Sequence, residues 1–177
     1  MRLSRFGLLL FAVVHAAAAM AQKAPPACSL LQASEIDGAV GTKVRPGNET
    51  DIVIPKGPAK GQTMTGCMWG IGEQGMVSVS VIPASSKEQR DGARAIFNQA
   101  GEALKAQGWT IDTTVVGGIT CGTMVPPPKE SEHMPVAVGC MGEAKGMAMS
   151  VSAMIAKVKV APQRVKALFD AAVARLP

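Results

Sequence analysis

One stretch of the chain, Val77-Ser78-Val79-Ser80-Val81, alternates strictly between apolar and small polar residues, and a second, Met147 to Ile155, carries a matching Ser150-Val151-Ser152 triplet. A period of two predicts strands with one buried face and one wet face. Each stretch is preceded by a short Cys-bearing run and a Gly-containing reversal. Thr65 to Trp69 leads through Gly70-Ile71-Gly72-Glu73-Gln74-Gly75 into Met76 to Ile82, and Val136 to Met141 leads into Met147 to Ile155. Both units therefore predict hairpins. Their motifs repeat: Gly66-Cys67-Met68 matches Gly139-Cys140-Met141, Gly75-Met76 matches Gly146-Met147, and the Ser-Val-Ser triplets match. An internal duplication is one reading of this likeness, and coincidence in a simple composition is the other.

Between and around the hairpins the period changes. Leu31, Ile36 and Val40 make a short stripe over Ser34 to Val40, with Gly41 as a stop. Ser85 and Glu88 have capping-box spacing, and a helix follows to Gln107 with Ala93, Phe97, Ala100 and Leu104 toward the core and Gly108 after it. A last helix starts at Pro162, with Val165, Leu168, Phe169, Ala172 and Leu176 as its apolar face. Thr42 to Gly61 reads as loop holding one short edge strand at Asp51-Ile52-Val53-Ile54. Trp109 to Thr114 and Val115 to Val125 read as strands with a bend or bulge at Gly117-Gly118, and Pro126 to Pro135 as a stiff exposed loop. The expected fold is α+β: an antiparallel sheet of about six strands, with three helices packed on one face.

The start of the chain changes the picture of where this domain works. Met1, Arg2 and Arg5 precede an apolar run from Leu8 to Val14, which ends in Ala19-Met20-Ala21. That layout predicts a cleaved secretory signal over residues 1–21, a loose leader over 22–27 and a single domain over 28–177. The run is too short for a membrane anchor. About 156 residues then remain, enough for one well-formed core. The formal charge of +5 falls to +3 once Arg2 and Arg5 leave, and no block of like charge stands out. Clustered cations with interleaved aromatics are missing, which argues against a nucleic-acid partner.

Four cysteines remain: Cys28, Cys67, Cys121 and Cys140. In an exported chain they predict disulfides, with three possible connectivities. Consecutive pairing, Cys28–Cys67 and Cys121–Cys140, is favoured, since the second pair can close across neighbouring strands. No Cys-x-x-Cys is present, so neither a redox motif nor a cysteine zinc site is expected.

Cys28-Ser29-Leu30-Leu31, Glu35, Gly41 and Cys67 with Trp69 two residues on, followed by a hairpin, resemble the opening of a family of uncharacterised secreted lipoproteins best known from actinobacteria. The likeness covers the first half of the chain. It implies an α+β fold and a Cys28–Cys67 bridge, and it implies no chemistry. This chain lacks the lipid-bearing cysteine.

Candidate chemistry is sparse. His133 is the sole histidine beyond residue 21 and sits in the Pro-flanked loop. With no Gly-x-Ser-x-Gly elbow, a hydrolase would have only this histidine to recruit, and no catalytic residue is expected. Methionines are numerous, and the favoured reading is that they fill a core short of aromatics. The alternative is a periplasmic Cu(I)-binding protein in which His133, Met134, Met147 and Met149 converge as ligands. No other cofactor is expected. Lys87, Arg90 and Arg94 share one helical face but alternate with Glu88 and Asp91, as a solvated face does. Trp69 and Trp109 are expected to cover edges of the core. Ser78, Ser80, Ser150 and Ser152 would form a shallow hydrogen-bonding surface if their strands are neighbours. The expectation is thus a periplasmic or secreted binding protein of inhibitor, immunity or accessory type. It would meet an envelope protein or small ligand at these serines or at the Pro126–Pro135 loop.

Overall fold

A computed structural model describes residues 23–57, 59–73, 75–131, 134–156 and 159–177. The signal read over residues 1–21 and the candidate ligand His133 lie outside them. A 3-10 turn (Ala27–Ser29) and α1 (Ala33–Val40) lead into β1 (Asn48–Val53), β2 (Thr63–Ile71) and β3 (Gly75–Pro83). Helix α2 (Lys87–Ala106) connects to β4 (Thr110–Val116), β5 (Ile119–Val125), β6 (Ala137–Ala144) and β7 (Met147–Met154), and α3 (Pro162–Ala174) closes the chain.

All strands join one antiparallel sheet in the order β1-β2-β3-β7-β6-β5-β4. The sheet has seven strands rather than about six. Gly117 and Gly118, with φ of 55° and 80°, make a full reversal between β4 and β5 instead of a bend within one long strand.

The repeated motifs sit in matched register. Cys67 faces Val79 as Cys140 faces Val151, Met68 faces Ser78 as Met141 faces Ser150, and Gly66 faces Ser80 as Gly139 faces Ser152. The two hairpins meet at the centre, where β3 pairs with β7. One layer further out, Glu49 on β1 faces Cys67 and Cys121 on β5 faces Cys140. The second half thus carries its disulfide partner within the sheet. The first half holds a carboxylate there, and Glu49 Oε1 accepts the Ala27 N–H at 3.0 Å, anchoring the turn that delivers Cys28. The bridges are Cys28–Cys67 and Cys121–Cys140, with Cα separations of 5.0 and 4.0 Å.

One sheet face, the inner face, carries Cys67, Trp69, Val77, Val79, Val81, Met147, Met149 and Val151, all buried. The apolar stripes of α1 and α3 close over it, with Ile36, Val165, Leu168, Phe169 and Ala172 buried as the helical period predicts. A capping box between Gln32 and Glu35 starts α1, and Gly41 in the left-handed region stops it.

The helices do not share a face. Ile82 and Ala148 stand on the opposite, outer face, where Ile54 and Met64 join them in a second apolar patch. Ala93, Ile96 and Phe97 of α2 cover that patch, and a Cβ on Gly92 would come within 3.0 Å of Ala59. The alternation of β3 breaks at Val81-Ile82, and that extra apolar position draws α2 outward. The helix starts one residue later than the spacing suggested. Ser86 caps it by accepting the Gln89 N–H at 3.1 Å, and Gln89 reaches back to the Ser86 N–H. Ala100, expected toward the core, is exposed, because only the first half of α2 lies on the patch.

Candidate functional site

Helix α2 covers the end of the outer face near Ile82 and Ala148, leaving the middle of that face open. Two rows cross the open part. One runs Met68, Ser78, Ser152, Gly139, Gly122, and the other Gly66, Ser80, Ser150, Met141, Thr120. The four serines predicted as a surface therefore stand together on β3 and β7, the central pair of strands. All four are half-buried, and Ser78 and Ser152 share a hydrogen bond of 2.8 Å between their hydroxyls.

Glycines flank the serines and keep the floor low. A Cβ on Gly139 would meet Ser152 Cβ at 3.5 Å and Met124 Cε at 3.6 Å, so any side chain there would stand in the shallow trough. Methionines form the rim. Met68 and Met141 are 40% and 38% exposed, unusual for large apolar side chains. They hold corresponding places beside Ser78 and Ser150. Met76 and Met154, directly paired and half-buried, close one end of the trough. At the other end, beneath α2, lies an open cavity of about 450 Å³ bordered by Phe97, Asn98, Thr120 and Met141. Arg94 and Arg90 converge there on Glu143, at 3.2 and 3.9 Å. The cationic face read on α2 is thus tied to sheet and helix: Lys87 pairs with Asp91 at 2.6 Å, which holds the Asp91 carboxyl below its ordinary range.

Chemically, the trough offers hydroxyl donors and acceptors, bare backbone and polarisable thioethers. None of the residues that form its two rows titrates near neutral pH. It suits shape-adaptive contact better than bond-making.

Of the copper-ligand candidates, His133 lies outside the described residues, and the three described methionines do not come together. Met147 and Met149 are fully buried on the inner face, packed in the core with Phe169 and Leu168. Met134 is 39% exposed and precedes β6, whose first residue Ala137 pairs with Met154, whereas Met147 pairs with Ala144 at the far end of the hairpin. Eight-residue strands separate those ends by roughly 23 Å. The period of two that puts Met147 and Met149 on one side puts them with Val151, on the side the helices cover. Among the described residues no group of three or more His, Cys, Asp and Glu is placed to hold a metal ion. Trp69 and Trp109 are buried, as expected of core edges. The rim methionines Met68 and Met141 were missed by the sequence reading, although their place beside the predicted wet serines was the available signal.

The fold and trough define an antiparallel α+β sheet domain stapled at two Cys-bearing strands. Its fold is shared with the extracellular domain of PknH from Mycobacterium tuberculosis, at a TM-score of 0.52 and 13% identity, over 86% of this chain and 98% of that one. No family model and no curated protein matches the chain. No described helix is long and apolar enough to cross a membrane.

Proposed function

We propose that this chain is an exported, non-catalytic binding domain whose partner, an envelope protein or small ligand, docks in the serine–methionine trough of the outer sheet face. The observation that carries this reading is the placement of Ser78, Ser80, Ser150 and Ser152 on paired strands beside two exposed methionines. Core logic would bury Met68 and Met141 or replace them with polar residues. Flexible thioethers around a hydroxyl floor make a surface that adapts to its occupant. Export is supported by the signal-like residues 1–21, by two bridges suited to an oxidising compartment and by a solved neighbour that is itself an extracellular domain. The resemblance of the Cys28 to Trp69 region to secreted lipoproteins points the same way.

The test is site-specific photocrosslinking in intact exporting cells, with the probe at position 152 or at position 102 on the exposed flank of α2. The expected result is a discrete adduct from position 152 only, abolished by Ser78→Arg. Equal labelling from both positions, or an adduct indifferent to Ser78→Arg, overturns the proposal.

A further inference from the structure

Among the described residues the sheet ends in two free edges, β1 and β4, and they are built differently. An unpaired edge is a template for another strand, so folded domains usually guard it. β1 is guarded. Pro46 and Pro55 flank it, Glu49 and Asp51 charge it, and the turn at Ala27 is tied to Glu49. β4 reads Thr110-Ile111-Asp112-Thr113-Thr114-Val115-Val116, β-branched except for one Asp, without Pro, Lys or Arg. Thr110, Asp112 and Thr114 on its inner face are exposed, as are Thr113 and Val115 on its outer face, with Val115 at 71%. Ile111, beside Gly101 of α2, and Val116, packed against the inner core, are half-buried, and the four residues between them are left exposed.

The register identifies which backbone groups are free. Cys121 and Cys140 stand 4.0 Å apart at Cα, the close spacing of a pair that exchanges no backbone hydrogen bonds. Cys121 therefore bonds on its other side, to Thr114. By alternation Asp112 and Val116 also face β5, and the N–H and C=O of Ile111, Thr113 and Val115 point outward.

We propose that β4 pairs antiparallel with β4 of a second copy, about a two-fold axis at Thr113. In that register each outward N–H and C=O of Ile111, Thr113 and Val115 meets a partner. Ile111 stands opposite Val115 of the other copy, so apolar β-branched residues pack across the outer face. Asp112 stands opposite Thr114, whose hydroxyl donates to its carboxylate. The strand is thus complementary to itself, as an isologous contact requires. The pairing runs the two sheets into one and leaves both serine–methionine troughs open. It does not depend on what those troughs bind. Its one unfavourable feature is that the two Asp112 carboxylates lie diagonal to each other, about 7–8 Å apart.

Sedimentation equilibrium of the exported chain with both disulfides intact, over the micromolar range, tests the proposal. The expected mass rises with concentration toward two chains. Thr113→Pro removes an outward N–H that the β4–β5 ladder does not use, so the monomer keeps its melting temperature and both bridges. That variant is expected to weaken association at least tenfold. Asp112→Asn removes the diagonal repulsion and is expected to tighten association severalfold, a gain that misfolding does not produce. Should Thr113→Pro lower the melting temperature, Val115→Lys takes its place with the same expected loss of association. A single-chain mass at every concentration overturns the proposal. So does a dimer that these substitutions leave unchanged.

Discussion

Val79 and Val151 face each other across β3 and β7, and each stands beside a disulfide cysteine, Cys67 or Cys140, on its outer neighbour. The hairpins are arranged symmetrically about that contact, and both valines are fully buried. Val79→Ala and Val151→Ala are each expected to destabilise the domain by about 2–3 kcal/mol, from lost transfer energy and the cavity left behind. Because the two side chains pack on each other, the double variant should cost less than the sum. Denaturant unfolding of the three variants measures both effects.

The two bridges close loops of different length, with separations of 39 and 19 residues. By the chain-entropy relation, loss of Cys28–Cys67 costs about 4 kcal/mol and loss of Cys121–Cys140 about 3 kcal/mol. Paired Cys→Ala variants, compared by guanidinium midpoint, check the order. The reverse order would show that Cys121–Cys140 contributes more than loop closure.

Gly47 lies just before β1, where the chain passes closely over the first bridge. A Cβ there would stand 2.7 Å from Cys67 Sγ and 2.7 Å from Trp69 Nε1. Both neighbours belong to buried residues and have little room to yield. Gly47→Ala is expected to cost about 1–3 kcal/mol, whereas Gly38→Ala, which meets nothing within 4 Å, should be neutral or stabilising. Thermal melts of the pair distinguish crowding from a generic effect of losing glycine.

Glu35 joins the first helix to the end of the chain. Its Oε1 accepts from Arg175 at 2.8 Å and its Oε2 from the Gln32 N–H at 2.9 Å. The Arg175 hydrogen bond holds the Glu35 carboxyl below its ordinary range, against the opposing effect of burial. A carboxyl lowered in the folded state stabilises above its unfolded pKa, and that contribution is lost as pH falls through the folded value. Glu35→Gln is therefore expected to cost about 0.5–1 kcal/mol at pH 7 and nothing at pH 2. Urea midpoints at the two pH values check this, and an equal loss at both would point to packing instead.

Legibility followed the range of the interaction. Both hairpins and the α3 face from Val165 to Ala172 could be read locally, since strand alternation and helical period act over a few residues. The gathering of Ser78, Ser80, Ser150 and Ser152 depends on β3 and β7 being neighbours, a contact between serines 70 and 74 positions apart. The side taken by α2 has no such local signal, because Ile82 alone hints at the second patch and its companions Ile54, Met64 and Ala148 come from three other segments.

The amino-acid order by itself determined which residues share a face: Val77 with Val79 and Val81, Ser78 with Ser80, Met147 with Met149. Backbone geometry imposes that periodicity before any long-range contact forms. Only the tertiary structure decided which face each helix would cover. That choice buried Met147 and Met149 and left Met68 and Met141 at the surface, because burial depends on what apolar area a distant segment can match, and no local pattern encodes the match.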